Sequence, residues 1–279
     1  MNPILSVIVP CFNNSSTVLE TIDSVYTQSY QMFEVIFVND GSTDDSLELV
    51  SSFKKQYSKD NLFILNQENK GTPTARNQGA AVAKGKYLLF LDADDKIHAT
   101  YLEKAIRLLD NDDSLNIVYC EAEYFDRINK KWKLPNYSKA GILLENSIFA
   151  SAIIRKKIFD EVGQFDEKLD YNEDWDLWIR ITSLIEEKSV FKIKETLFYY
   201  RKSRSENSMT DNRNKKEEKA RLQIYLKHYD LYKQNGFDII SLITSKKKAD
   251  VYKKKYYSVW YRRLFYKLIK KKSLQDLMR

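Results

Sequence analysis

Short apolar runs separated by stretches of helical periodicity fill the first hundred residues. Leu5–Pro10 is the first run, and Ser15 or Ser16 can cap a helix reaching Gln28. Glu34–Asn39 is the second, closed by Asp40-Gly41 and followed by helical spacing from Thr43 to Tyr57. Leu62–Leu65 is the third, Pro73 to Ala83 reads as a helix, and Tyr87–Leu91 runs into Asp92-Ala93-Asp94-Asp95. Strands alternating with helices predict βαβ units, and hence an α/β fold with a mostly parallel sheet and right-handed crossovers. Such sheets bind ligands beyond the carboxyl ends of their strands. Three of those ends carry suggestive residues: Pro10-Cys11-Phe12-Asn13, Asn39-Asp40-Gly41-Ser42 and the acidic run at 92–95.

Past residue 115 the alternation loosens. Ile117–Phe125 reads as a strand, Asp126 to Lys133 as a charged hairpin, and Ser147–Ile154 as an apolar segment. A short helix is expected over Lys156–Val162 and an amphipathic one from Asp174 to Ile185. Beyond Asp211 the composition turns to Lys, Tyr and Leu, which sets a boundary between a domain at 1–212 and a helical, basic, aromatic-rich region at 213–279.

Composition adds a core and a charge asymmetry. A chain of 279 residues that is 43% hydrophobic and 13% aromatic can bury a real core. The net charge of +7 hides two opposed parts. Residues 215–279 hold 19 Lys and Arg against 6 Asp and Glu, while residues 1–214 hold 27 against 33. An acidic body thus bears a basic tail, which points to a separate surface task at the C-terminus. Cys11 and Cys120 lie far apart, with neither a disulfide framework nor zinc spacing, as in a reducing compartment. The first residues lack the features of a secretory leader, and no apolar run is long enough to span a bilayer. A cytoplasmic protein is the expectation.

The acidic run is the first candidate for chemistry. Asp92 and Asp94 stand one residue apart where a buried strand empties into a loop, so in an extended segment both side chains reach one cation. Hard carboxylate oxygens suit Mg²⁺ or Mn²⁺ shared with substrate phosphates. The plainer alternative is a solvated turn with Asp95 capping the next helix. Asp40 ends its strand before Gly41, where a carboxylate can accept from a nucleobase N–H or a ribose hydroxyl. An ordinary Asp-Gly turn is the alternative there.

The ordered set of motifs carries more than any one of them. Val7-Ile8-Val9-Pro10-Cys11-Phe12-Asn13, Val38-Asn39-Asp40-Gly41-Ser42-Thr43-Asp44 and Asn69-Lys70-Gly71 come first. Ala75-Arg76-Asn77-Gln78-Gly79, Leu91-Asp92-Ala93-Asp94-Asp95 and Asn172-Glu173-Asp174-Trp175-Asp176-Leu177 follow. Residues 4–210 resemble the family 2 inverting glycosyltransferases of the GT-A fold, of the type that builds bacterial surface polysaccharide. The resemblance implies a Rossmann-like nucleotide-binding half, in which Pro10, Phe12, Asn13 and Asp40 contact a nucleotide, usually uridine, and Arg76 lies near base and phosphates. It implies that Asp92, Ala93 and Asp94 form the DxD motif, with Asp92 and Asp94 holding ribose and a divalent metal, Mn²⁺ or Mg²⁺. It makes Asp174 the general base that deprotonates the acceptor hydroxyl, the donor being a UDP-sugar and the acceptor a glycan or lipid-linked glycan.

Alternatives stand beside these roles. Asp174 could be a helix N-cap, with Leu177, Trp178 and Ile181 as the core face and Trp175 either packing or lining an acceptor cleft. Tyr199-Tyr200-Arg201-Lys202-Ser203 departs from the family pattern, since Ser203 stands where many members carry histidine. Arg201, Lys202 or Arg204 could meet the diphosphate instead, or form an exposed basic loop.

In the tail, Lys253-Lys254-Lys255, Arg262-Arg263 and Lys270-Lys271-Lys272 alternate with Tyr257, Trp260, Tyr261, Leu264 and Leu268. A basic amphipathic helix of this kind can lie on an anionic membrane surface, which would make the protein peripheral on the inner face of the cell membrane. Packing on the catalytic domain or a homo-oligomer interface are the alternatives. No nucleic-acid-binding module accompanies the charge. A non-catalytic nucleotide-sugar-binding or scaffolding protein of the same fold is the functional rival. Neither the Gly-rich loop of a nucleotidyltransferase nor the GxGxxG of a dehydrogenase follows a strand.

Overall fold

The four apolar runs become adjacent parallel strands: β1 (Leu5–Cys11), β2 (Phe33–Asp40), β3 (Leu62–Gln67) and β4 (Tyr87–Phe90). A computed structural model of the chain describes residues 3–202 and 210–241, the side chains of 210–215 excepted. Helices α1 (Val18–Tyr26), α2 (Ser46–Gln56) and α3 (Thr72–Val82) connect the strands, which lie in the order β3-β2-β1-β4. Every residue of β1 and β2 is buried, as expected of strands covered on both faces. Leu5, Val7, Ile8 and Val9 expose nothing, and burying a side chain of that size contributes about 1.5–3 kcal/mol each.

Helix α3 presses closely on this sheet. A Cβ at Gly79 would lie 2.5 Å from Ile8 Cγ2, so only glycine fits there, and the helix is held down with Arg76 one turn nearer the strand ends. Helix α1 begins after Thr17, later than a Ser15 or Ser16 cap would start it. The Thr17 hydroxyl instead donates to the Ala93 carbonyl at 3.0 Å, tying the first loop to the acidic turn.

The second half completes the sheet with mixed pairing. It contributes β5 (Lys96–Ile97), α4 (Tyr101–Asn111), β6 (Ile117–Asp126), β7 (Lys130–Trp132), β8 (Ile153–Arg155), α5 (Lys156–Val162), α6 (Glu173–Leu184) and β9 (Val190–Lys202). The sheet continues from β4 through β8, β6 and β9 to β5, with β7 paired to β6 in the expected hairpin. Strand β8 runs antiparallel to both β4 and β6, whereas β9 runs parallel to β6 through an irregularity between Cys120 and Ala122. Helix α4 buries Tyr101, Leu102, Ala105, Ile106 and Leu109 along one stripe.

The chain divides into two compact units, residues 1–223 and 224–279. Helix α7 (Thr210–Lys227) covers the point where the sequence sets the domain boundary. In the second unit, α8 (Tyr229–Gln234) brings Tyr232 to 4.8 Å, ring to ring, from Tyr225. The basic aromatic run at 253–272 lies outside the described residues. Among the described residues no helix is long and apolar enough to cross a membrane.

Candidate active site

The ends of β1 and β2 are laced together. Asn13, in the left-handed region at φ 55°, accepts at Oδ1 from the Thr43 amide at 2.8 Å, and its own amide donates to Ser42 Oγ at 3.1 Å. The Ser15 amide donates to Asp44 Oδ2 at 2.8 Å. Burial acts to raise the Asp44 carboxyl, but hydrogen bonds from Ser46 and Ser15 outweigh it and hold its pKa down to about 2. Asp40, 3% exposed, accepts at Oδ1 from Gln67 Nε2 (2.7 Å) and the Lys70 amide (2.8 Å), and at Oδ2 from the Gly71 amide (2.9 Å). Gly41, at φ +70°, lets the chain turn against Asn69, whose amide nitrogen would lie 2.7 Å from any Cβ. Asp40 thus shapes the segment that leads into α3.

A cleft of about 360 Å³ opens beyond these strand ends. Pro10, Phe12, Asp40, Arg76, Asp92, Ala93 and Asp94, all singled out in the sequence, line it. Asn13 is occupied in the lacing, and Asn14 stands in the wall.

The acidic turn is braced from β9. Buried Asp95 accepts at Oδ1 from the Arg201 amide (2.8 Å), and Arg201 Nε donates to the Asp94 carbonyl (2.8 Å). The guanidinium also pairs with Glu20 and Asp126 and stands 4.4 Å over the Phe125 ring. Arg201 is thus no exposed basic loop residue: its amide and Nε hold the turn, and its Nη atoms pair with Glu20 and Asp126. Asp95 does not cap the following helix, which starts after Thr100. Burial, with the charges of Asp94 and Asp92, pushes the Asp95 carboxyl well above the usual range.

Arg76 joins this cleft to a second one. Its side chain is 3% exposed, with Nη2 donating to Asp92 Oδ1 at 2.7 Å and Nη1 to Glu173 Oε1 at 2.6 Å. Removing either carboxylate would leave a buried charge undercompensated. Glu173 opens α6, preceded by Asn172 at the cap position, so Asp174 is the second helical residue and not the cap. Half-buried Asp174 accepts at Oδ2 from Asn146 Nδ2 (3.0 Å) and at Oδ1 from the Trp175 amide (2.8 Å). Burial and the Glu173 charge push its carboxyl up to about 7, against the opposing pull of Arg76. Asp174 lines a cleft of about 390 Å³ that shares Arg76, Asp92, Glu173 and Tyr200 with the first. Asp40, Asp92, Asp94 and Asp174, remote in the chain, therefore lie along one pair of adjoining clefts.

The family model described as Glycosyl transferase family 2 matches residues 6–165. The chain belongs to this family. An uncharacterized glycosyltransferase of Rickettsia prowazekii is 33% identical over 191 residues, 64% of this chain and 58% of that one. Another from Rickettsia typhi is 31% identical over 223 residues, 76% of this chain and 67% of its own. The chain thus spans little more than half of the first of these relatives. Among solved structures, Staphylococcus aureus TarS in complex with UDP-GlcNAc superposes with a TM-score of 0.62 at 23% identity, over 72% of this chain and 59% of that one. The mannosyltransferase PcManGT of Pyrobaculum calidifontis, in complex with GDP-Man and Mn²⁺, gives 0.59 at 19%, over 76% and 60%. The α/β GT-A architecture expected from the sequence is the one found.

For this family 2 member, the donor set suits a cation shared with a ligand. Among the described residues no three His, Cys, Asp or Glu side chains gather closely enough to hold a metal by themselves. Asp92 and Asp94 line the cleft, and one Asp92 oxygen is already engaged by Arg76. Two carboxylates completed by phosphate oxygens and water are the usual setting for Mg²⁺, so the pair fits such an ion.

The second cleft holds what the sequence did not disclose. Asn146, Tyr124, Trp132 and Tyr200 line it, yet they come from separate loops and strands with no common motif. Trp175 is not in its wall: the indole is 4% exposed and donates to the Ile142 carbonyl. Trp178 is fully buried, as its place on the helix's core face implied. Lys202 lines this second cleft, while Ser203 and Arg204 lie outside the described residues.

Proposed function

We propose that the protein moves a sugar from a UDP-sugar to an acceptor hydroxyl by a single displacement with inversion, with Asp174 taking the proton. One observation carries this reading: a carboxyl with its pKa pushed up to about 7 lies in a cleft that runs into the one lined by Asp40, Asp92 and Asp94. A general base serves best when its pKa sits near the operating pH. Displacement with inversion also needs that base across the anomeric carbon from the departing diphosphate, and two adjoining clefts offer two such sides.

In this reading Pro10, Phe12, Asn13 and Asp40 shape the nucleoside end of the donor site, and Arg76 stands between donor and acceptor. Asp92, Ala93 and Asp94 form the turn at which Asp92 and Asp94 hold Mn²⁺ or Mg²⁺. That ion's chemistry is to neutralise charge gathering on the leaving diphosphate. The nucleotide sugars named with the solved relatives, UDP-GlcNAc and GDP-Man, support the donor class. The acceptor hydroxyl belongs to a glycan or lipid-linked glycan. The basic tail, with Trp260 and Tyr261 among its lysines, suits an anionic membrane surface; flotation with liposomes should weaken when residues 246–279 are removed.

Screening UDP-sugars for Mn²⁺-dependent UDP release, then determining the anomeric configuration of the product by NMR, tests the reading. One UDP-sugar should be consumed and its configuration inverted. UDP binding without turnover of any donor would leave a binding protein, and a retained configuration would remove the single displacement.

A further inference from the structure

The aromatic part of the second cleft's lining, which it shares with Asp174, is built by three strands. Strand β6 carries Tyr124, which is in register with Tyr200 of β9; Trp132 of β7 is in register with Ala122, two residues from Tyr124 on the same face. The Tyr124 and Trp132 rings stack at 5.3 Å and 23°, and Tyr200 closes on Trp132 at 5.2 Å. All three are half-buried and line the cleft. The same lining holds Asp92, Asp95, Glu173 and Asp174, with Asn146 beside them.

The charges in this lining argue for a particular ligand. Arg76 is ion-paired to two carboxylates, and Lys202 lies 4.6 Å over the Tyr200 ring and 5.5 Å over that of Tyr124. A phosphate calls for convergent Arg or N–H donors, whereas here the guanidinium is already paired to Asp92 and Glu173 and a further carboxylate, Asp174, stands in the lining. A pyranose has the matching surfaces instead. Its axial C–H bonds form a flat, slightly positive apolar face suited to an aromatic π-cloud, and its equatorial hydroxyls point sideways to hydrogen-bonding groups. We infer that the acceptor unit presented to Asp174 is a neutral pyranose stacked on the Trp132–Tyr124 pair, and that a phosphate acceptor is excluded from this position. The inference rests on the transfer reading above and names its acceptor class.

The test uses the full chain with the donor identified by the screen. Transfer is measured to p-nitrophenyl pyranosides of glucose, galactose and N-acetylglucosamine and to a polyprenyl phosphate, with UDP affinity followed by calorimetry. A pyranoside should be glycosylated and the phosphate not. Trp132→Ala should raise the pyranoside KM by about tenfold or more, and Trp132→Phe, which keeps a ring, by much less. UDP affinity should stay within about twofold in both variants, which also reports folding. Transfer to the phosphate alone, transfer to none of these acceptors, or a pyranoside KM unmoved by Trp132→Ala would overturn the inference while donor turnover stood. Absence of donor turnover would instead remove the transfer reading, and this inference with it.

Discussion

Two aspartates, Asp44 in the lacing beyond β1 and β2 and Asp174 in the lining of the second cleft, are driven in opposite directions. On the side of β1 and β2, Asp44 is held down to about 2, because hydrogen bonds from Ser46 and Ser15 outweigh its burial. On the side of α6, Asp174 is pushed up to about 7 by burial beside the Glu173 charge, with Asn146 and the Trp175 amide as its donors. Asp40 is likewise tied to its loop, accepting from Gln67 and two backbone amides. Asp44 and Asp40 are thus fixed anchors for loops, whereas Asp174 is kept able to take a proton. Arg76 spans the difference through Asp92 and Glu173.

The comparison breaks most decisively at the metal and at the base. Asp94→Ala is expected to abolish metal-dependent UDP binding and turnover together; binding that still responds to Mn²⁺ in calorimetry would refute the cation role. Asp174→Asn should keep UDP binding and cut turnover by ~10²–10⁴-fold. Near-normal turnover of that variant would move the base elsewhere.

The next effect is on titration. A base must be ionised to accept a proton, so turnover should rise with pH through about 7 and then level off. Glu173→Gln removes the neighbouring negative charge, ionisation of Asp174 becomes easier, and the rise should move to lower pH. A profile unmoved, or shifted upward, would separate Glu173 from the base. On the anchor side, Asp40→Ala strands the Lys70 and Gly71 amides and the Gln67 amide group, and should cost about 2–3 kcal/mol in urea unfolding.

The same contrast governs what was legible in the sequence. Strands β1 to β4 are short, mostly apolar and joined by local crossovers, and their end loops carry motifs whose members are neighbours in the chain. Asp40, Asp92 and Asp94 could be marked there as candidates by their place at strand ends, and the resemblance of the ordered motifs supplied their expected roles. The second cleft is made by long-range pairing: Tyr124 meets Tyr200 only because β9 lies parallel to β6, and Asn146 meets Asp174 across 28 residues. No local pattern encodes those meetings. Helix α4 was available, since Tyr101, Leu102, Ala105, Ile106 and Leu109 have helical spacing, whereas the two residues of β5 acquire meaning only against β9. The bracing role of Arg201 could not be read from the sequence, because its partners Glu20, Asp126 and the Asp94 carbonyl come from three distant places.

The smallest expected effect tests the contrast without any substrate. A carboxyl whose folded pKa is depressed stabilises the fold above its unfolded value and loses that contribution as pH falls through the folded one. For Asp44 this loss runs from about pH 4 down to about 2, so Asp44→Asn should lower the Tm at neutral pH and match the parent at about pH 2. A raised carboxyl behaves inversely: its contribution is intact below the unfolded value and lost as pH climbs to the folded one. Asp174→Asn should therefore equal the parent near pH 4 and exceed its Tm by about pH 8, because the variant has no proton to give up between those limits. The two variants should depart from the parent in opposite directions at neutral pH. If thermal scans find both less stable there, Asp174 is an anchor like Asp44, and the chemistry assigned to it loses its physical basis.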